Sequence, residues 1–523
     1  MSSPAQGAAA PVSHPVTITI DSAHPGPVIP EDFAGLSFER GPLLPNSNAG
    51  VSGNLFNPDN SSVVTLFGNM GMHSLRIGGG SVEQLIPAGT GTDGYAGIDG
   101  LFAFAAKTGV KVVYTVRLLN PAANPVSDLQ GVNAKAAGYI WAHYRDNVSS
   151  FAIGNEPDWH TYHSWPGSRS FAARQLDPAI VEDAADGPAP GTAYPSYLAR
   201  WRSFADAIRA AAPGAPVSGP DLGAYDTSTF TPDHTGMSWT RRLAGDEQHT
   251  GRVAEVSQHY YAGGSVGATT AAQAISNMLS TQWVTATEIG RDLPPANTPY
   301  TPYPWLHANN LAPVIQAGLR YRLTESNDYL VGVPGASDAY ASALWVLDHL
   351  HWWAANGCAG VNFHNKQWLN TATIVPHPDG PDHGYVIRPK GYGIRAFNLG
   401  SAGQVKPVQI QNPNGINLTA YCVGAAGEDY VTIINKAHGA NPPDAAVTIV
   451  APGPAVRSAQ VMTLAGAQRG DAQGTTVTLG GATITGDAPW NDTWDTVSVA
   501  PGSKISLTVE ATTAAIVKIS SGG

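Results

Sequence analysis

Several acidic residues stand where carboxylate chemistry is expected. In Phe151-Ala-Ile-Gly-Asn-Glu-Pro-Asp158 an apolar run suited to a buried strand ends at Asn155-Glu156 and is halted by Pro157, which leaves a carboxylate at the strand's exit. A solvated Glu at a turn is the plainer alternative, but the Asn before it and the Pro after it make a chemically coherent unit. Acid/base work at a glycosidic bond requires a second carboxylate. Two runs offer one: Leu319-Arg-Tyr-Arg-Leu-Thr-Glu325-Ser-Asn327, and Trp283-Val-Thr-Ala-Thr-Glu288-Ile-Gly290. Glu325 is favoured, because a capped amphipathic helix follows it in strand–loop–helix order, whereas Glu288 runs into a Pro-rich excursion. Other polar groups also fall at strand exits: Glu39-Arg40, Arg76 within Leu75-Arg-Ile-Gly-Gly-Gly80, and His259-Tyr260-Tyr261. Singly, Arg76 reads as a structural ion pair and His-Tyr-Tyr as rim packing. Together, independent strands would deliver acid, base, donor and aromatic groups to one face.

Other chemistries find little support. Gly89-Thr-Gly91-Thr-Asp-Gly94 fits G-x-G-x-x-G, but no strand leads into it and no helix opens on its third Gly, so it reads as a loop. His160 and His163 have H-x-x-H spacing without further ligands at metal-binding distance in sequence, so no metal is expected. The two cysteines, Cys358 and Cys422, form no C-x-x-C pair. A net charge of −11 opposes nucleic acid and anionic membranes, and no uninterrupted run of 18 apolar residues exists to span a bilayer. The N-terminal stretch lacks the basic start and apolar core of a signal peptide. A composition poor in Lys and rich in Thr, Ser, Asn and Gly nevertheless suits a secreted hydrolase whose signal has been removed, with the cytoplasm as the alternative.

The elements that must position these groups follow a repeating pattern. Eight β-rich runs, at 35–39, 74–77, 111–117, 150–155, 217–219, 254–260, 320–325 and 360–363, alternate with helix-period stretches at 97–108, 133–144, 195–211, 272–279 and 337–355. Ser337-Asp338 is expected to cap the last of these helices. This is the signature of an α/β fold, a (β/α)₈ TIM barrel, whose strand-to-helix loops at the C-terminal face build the active site. Beyond residue 400, short alternating strands with Gly/Pro/Asn turns predict an antiparallel β-sandwich, which Val16–Ile20 is expected to join. The expected organisation is a mobile leader at 1–15, an N-terminal strand of the sandwich at 16–34, the catalytic barrel at 35–398 and the β-sandwich at 399–523.

With Gly154-Asn-Glu-Pro157, Leu75-Arg-Ile-Gly-Gly79, His259-Tyr-Tyr261, Arg322-Leu-Thr-Glu-Ser-Asn327 and Ser337-Asp338…Ala343-Leu-Trp345 in this order, the chain resembles glycoside hydrolase family 79, the β-glucuronidase and heparanase family. The resemblance implies Glu156 as general acid/base and Glu325 as nucleophile of a retaining exo-β-glycosidase, a β-glucuronidase acting on a β-linked glycoside or glycan without metal or cofactor. It further implies that Arg76 and Tyr261 keep Glu325 ionised, that Asn155 binds the sugar's 2-hydroxyl, and that Glu39 and His259 belong to the substrate site. Carboxylate recognition at C5 would fall to backbone amides around Val331-Gly332, with Tyr329 or a group of the His364–Trp368 loop such as His364. Three features depart from the family. Gly80 replaces an Asn, Asp328-Tyr-Leu-Val-Gly332 keeps only Gly332 of a Gly-Gly pair, and the aromatic excursion Arg291–Trp305 reads either as an insertion lining the aglycone site or as a surface flap. The alternatives are a neutral-sugar β-glycosidase and a carbohydrate-binding protein on a disabled barrel.

Overall fold

The computed structural model describes residues 12–44, 54–91, 94–120, 125–160, 193–223, 238–264, 269–281, 302–366, 368–425, 427–451, 455–491 and 493–522. An N-terminal strand, β1 (Ser13–Ile20), precedes eight strands that close into a parallel barrel. These are β2 (Ala34–Glu39), β3 (Ser74–Gly78), β4 (Lys111–Val116), β5 (Val148–Ile153), β6 (Val217–Leu222), β7 (Glu255–Tyr261), β8 (Arg320–Asn327) and β9 (Gly360–His364), with β9 pairing back onto β2. Each of the eight expected strands is present. Their residues are buried almost without interruption, because helices cover the outer face and side chains fill the interior.

Beyond the barrel strands, a short hairpin, β10 (Ile374–Pro376) and β11 (Tyr385–Ile387), leads to a helix at Pro389–Gly400. The C-terminal strands follow: β12 (Gln404–Lys406), β13 (Val408–Gln411), β14 (Leu418–Ala425), β15 (Glu428–Asn435), β16 (Asp444–Val450), β17 (Val456–Gly466), β18 (Val477–Leu479), β19 (Asp495–Val497), β20 (Val499–Ala500), β21 (Lys504–Val509) and β22 (Thr513–Ser521). One sheet is ordered β13-β1-β16-β21-β20; the other is β12-β14-β15-β22-β17-β18, with β19 on β17. Val16, Ile18 and Ile20 alternate inward from β1 and meet Val431, Ile433, Val517 and Ile519 of the second sheet in one apolar core.

Three expectations need correction. The sandwich is not purely antiparallel, since β1 slots between β13 and β16 and runs parallel to β16; a strand arriving from the distant N-terminus is not constrained by a hairpin turn. Ser337 and Asp338 do not cap the helix Ala341–Ala355, whose cap position is Tyr340; they accept from Val333 N and Gly335 N and close the turn before it. Of the aromatic excursion, residues 291–301 lie outside the described residues, while Tyr303 and Trp305 are buried. The Tyr303 ring packs on Trp352 and Trp353, and its hydroxyl meets His349 Nδ1 at 2.9 Å, so these two rings belong to the core.

The helix Ala341–Ala355 is buried on every side from Ala341 to Ala354, because the barrel lies against one face and the sandwich against another. Its Asp348 accepts from Thr419 Oγ1 and Tyr421 OH of β14, each at 2.7 Å, and pairs with Nζ of Lys436, the residue just past β15, at 2.7 Å. Among the described residues no helix is long and apolar enough to cross a membrane.

Candidate active site

The exits of β2, β3, β5, β6, β7, β8 and β9 converge on one polar cluster. At its centre the Arg76 guanidinium, fully buried on β3, donates from Nη1 to Glu325 Oε2 (2.6 Å) and Ser37 Oγ (3.1 Å) and from Nη2 to Asn155 Oδ1 (2.8 Å) and Asp221 Oδ2 (2.8 Å). Glycine at 78 makes this possible, since a Cβ there would fall 2.2 Å from Arg76 Cζ. At Gly79, where φ is +70°, a Cβ would lie 2.4 Å from Glu39 Oε2. A Cβ at Gly80 would meet nothing within 4 Å, so the departure from Asn there leaves open space.

Glu325 also accepts from Tyr261 OH at 2.5 Å, and His364 Nδ1 lies 3.6 Å away. Burial pushes the Glu325 carboxyl upward, but the charges of His364, His259 and Arg76 and the Tyr261 hydroxyl outweigh it and hold the group well below the usual carboxylate range. Glu325 is therefore a buried carboxylate kept ionised.

Glu156 stands opposite, three residues past the end of β5, and is partly open to solvent. Its backbone adopts φ +47° and its N–H donates to Asp221 O at 2.9 Å, while Asp221 itself adopts φ +51°. Two non-glycine residues in the left-handed region, bonded to each other at strand exits, are the kind of strain that the surrounding structure must impose. His259 Nδ1 lies 2.8 Å from Glu156 Oε1, and His259 Nε2 lies 3.3 Å from Arg76 Nη2. Both Nη2 hydrogens of Arg76 are already given to Asn155 and Asp221; against burial and the Arg76 charge, the Glu325 and Glu156 carboxylates raise the His259 imidazole above its ordinary value, so Nδ1 carries a proton that it gives to Glu156. One oxygen of Glu156, one of Glu325 and a ring nitrogen of His259 all fall within 4.8 Å of one another. That trio has the spacing of a cation site, but the Arg76 guanidinium bonded to Glu325 and touching His259 already supplies fixed positive charge and repels a metal ion.

Bulges aim these groups. The β7–β8 register skips Thr324, so His259 pairs directly with Glu325; the β6–β7 register skips Asp221. The two displaced residues meet, with Thr324 Oγ1 donating to Asp221 Oδ1 at 2.6 Å. Asp221 thus touches the partner of Glu325, the strand of Glu325 and the backbone of Glu156. Sequence reasoning does not reach it, because the residue pattern marks only Val217–Gly219 as strand and nothing in a single sequence announces a bulge. Glu83 was missed as well. Wholly buried, it accepts from Leu119 N (2.7 Å), Leu118 N (3.1 Å) and Asn155 N (2.9 Å), clamping the exit of β4 to that of β5. Burial raises its carboxyl to about 7 against these donors and Arg117.

On the opposite rim Glu39 accepts from Ser81 N at 2.8 Å and from Lys366 Nζ at 2.9 Å, with His364 Nε2 3.9 Å away. Burial raises the Glu39 carboxyl, and the His364 and Lys366 charges with the Ser81 bonds bring it below its ordinary value. Glu39, Arg76, Asn155, Glu156, His259, Tyr261, Glu325 and His364 are thus brought together. Tyr329 is not aimed at them: its ring packs against Gly263 and its hydroxyl accepts from Asn277 Nδ2 at 3.1 Å. Gly332, at φ +76°, sits against Asn370 and Thr371. The competing Glu288, and His163 of the H-x-x-H pair, lie outside the described residues.

No family model and no curated protein matches the sequence. The structure is similar to those of a 4-O-α-L-rhamnosyl-β-D-glucuronidase from Fusarium oxysporum 12S (TM-score 0.65, 15% identity, 96% of this chain and 99% of that chain covered) and of CelM2, a bifunctional glucanase-xylanase from a metagenome library (0.63, 16%, 97% and 99%). It is also similar to the GH51 arabinofuranosidase of Xanthomonas axonopodis pv. citri (0.60, 14%, 97% and 99%). At these identities the likeness establishes the fold, a TIM barrel carrying a β-sandwich, along the whole chain.

Proposed function

We propose that the chain is a retaining, exo-acting β-glycosidase similar to glycoside hydrolase family 79, with a β-glucuronide as its substrate. The observation that carries this reading is the approach of Glu156 and Glu325, within 4.8 Å oxygen to oxygen across the mouth of one barrel. Retaining enzymes hold their two carboxyl groups about 5–5.5 Å apart, whereas inverting ones leave about 6.5–9.5 Å for a water. The exposures of the two residues support the division of roles: Glu325 is buried against Arg76 and Tyr261, and Glu156 faces the opening.

In this mechanism Glu325 attacks the anomeric carbon as Glu156 gives its proton to the departing oxygen, forming a glycosyl ester on Glu325. Glu156 then takes a proton from the water that cleaves the ester. The Nδ1–H of His259 orients Glu156 in both steps. Arg76 occupies Oδ1 of Asn155, which leaves the amide N–H groups as the donors that can face a sugar 2-hydroxyl. Glu39 accepts from hydroxyls remote from the bond that breaks. The similar structures are those of a glucuronidase, a glucanase-xylanase and an arabinofuranosidase, so they favour glycoside chemistry more firmly than a particular sugar. For a glucuronate carboxylate, Lys366 supplies positive charge and His364 a ring nitrogen at the rim, although Glu39 shares both. That sharing is the specific observation favouring the neutral-sugar alternative.

Two experiments test the reading. Glu325→Ala should abolish turnover of an aryl β-glycoside, and azide should rescue it with an azide product of inverted configuration, while Glu288→Ala stays active; loss of activity only in the Glu288 variant would refute the assignment. A panel of aryl glycosides differing only at C5 should show about a hundredfold or greater preference in kcat/KM for the glucuronide, two donors left unpaired by a hydroxymethyl group costing on the order of 1–3 kcal/mol each. An aryl β-glucoside cleaved equally well replaces the glucuronidase reading with the neutral-sugar one.

A further inference from the structure

A cavity of about 250 Å³ lies beside the catalytic cluster, lined from the exits of β2 and β3, from β4 and from the first turn of the helix Ala96–Thr108. Leu43, Leu85, Ile86 and Ile98 make its walls apolar, and Arg40 and Tyr114 bring the polar groups. Arg40 is 7% exposed. Its backbone N–H is tied to Ser81 Oγ at 2.8 Å, but among the described residues no carboxylate or carbonyl pairs with its guanidinium. The other deeply buried arginines are different. Arg76 is paired with Asp221 and Glu325, Arg322 with Asp32 and Glu255, and Arg117 donates to Leu119 O. The Arg40 guanidinium nitrogens keep contact with solvent and so stand open to a ligand, and a planar fork of donors at one side of an apolar slot matches a carboxylate carried on an apolar body. Ile86, 55% exposed at the rim, would be covered by such a ligand.

We infer that this cavity is a binding site for a small amphipathic carboxylate, an aromatic ring or short chain seated among Leu43, Leu85 and Ile98 with its carboxylate on Arg40. The site lies two hydrogen bonds from the catalytic rim, because Ser81, which accepts from Arg40 N, donates its own N–H to Glu39. An occupant that draws on Arg40 therefore acts on the residue that faces the sugar.

The test uses the full chain with phenylacetate and phenylacetamide in isothermal titration at low ionic strength. Phenylacetate should bind saturably, and the uncharged amide about tenfold more weakly or not at all. Arg40→Met should weaken phenylacetate by about tenfold or more. Gly91→Leu, which adds a side chain from a lining position whose Cβ would meet nothing within 4 Å, should block binding with Arg40 intact. Equal binding of acid and amide, no saturable binding to the wild type, or binding unchanged in both variants would each overturn the inference; the acid–amide comparison needs no variant to fold. A parallel rate measurement distinguishes sources of the carboxylate: competition with an aryl β-glycoside identifies it as part of a substrate, and saturable binding without competition identifies a separate ligand. The titration contains no glycoside, so its failure leaves the proposed activity untouched.

Discussion

Asp221 offers the sharpest test of how the polar cluster at the barrel mouth is held. Both it and Arg76 are fully buried and meet at 2.8 Å. Replacing Asp221 with Ala leaves Arg76 with Glu325 as its single carboxylate partner and removes the acceptor of Thr324 Oγ1, which by analogy with other broken buried pairs costs about 3–5 kcal/mol of stability. Asn is a milder change. With its amide turned so that Oδ1 accepts from Arg76 and Nδ2 donates to Thr324 Oγ1, both hydrogen bonds survive and only the charge is lost. The relief of burying one charge fewer then offsets much of the lost attraction, so Asp221→Asn should be about 2 kcal/mol or more stabler than Asp221→Ala. The assay is urea unfolding of wild type, both Asp221 variants, Arg76→Met and the double variant Arg76→Met/Asp221→Ala. The double-mutant cycle should return a coupling of at least about 1.5 kcal/mol, since the residues share a contact. Turnover of the aryl β-glycoside should fall about tenfold or more in Asp221→Ala, where Arg76 and the Glu156 backbone lose their common support. Additive effects of Arg76→Met and Asp221→Ala, or an Ala variant within 1 kcal/mol of wild type, would show that Asp221 holds nothing.

Two buried carboxyls should bend the pH dependence of stability in opposite directions. Glu325 is held below its ordinary 4.5, so its stabilisation is present above that value and is lost as pH falls toward the folded one; the stability gap between wild type and Glu325→Gln should be widest above pH 5 and narrow below 4.5. Glu83 is raised to about 7, so the folded state keeps a proton that the unfolded state has released, and stability falls between pH 4.5 and 7 by up to about 1.4 kcal/mol per pH unit. Glu83→Gln should flatten that slope, and parallel wild-type and variant curves across the window would show that Glu83 ionises normally.

The barrel was legible because its strands are short apolar runs buried on both sides, and Glu156 and Glu325 because each ends such a run. The alternation of β1 likewise marked it as half-buried, and its partner sheet followed from the lack of any place for it in the barrel. What stayed hidden depends on three-dimensional coincidence. Asp221 is itself the bulged residue, which local patterning cannot reveal, and Glu83 acts through backbone N–H groups that carry no side-chain signature. Tyr303 and Trp305 lie in an excursion that reads either as an aglycone-site lining or as a surface flap, yet both are buried, and Tyr303 packs on Trp352 and Trp353. Tyr329 follows β8 closely, but its ring packs against Gly263 and its hydroxyl is held by Asn277.

The position of β1 has a consequence for the order in which the protein can be made. Its apolar residues Val16, Ile18 and Ile20 emerge from the ribosome first, whereas the strands that flank it, β13 and β16, begin at Val408 and Asp444. At about 5–20 residues per second the chain needs roughly 20–80 s to reach them. Throughout that interval β1 is a hydrophobic strand with both edges open, the feature most prone to pair with a neighbouring chain. The barrel is, in this sense, a very long loop between two pairing strands of one sheet. A nascent chain stalled inside the barrel would display β1 without its partners, and slower translation lengthens that exposure.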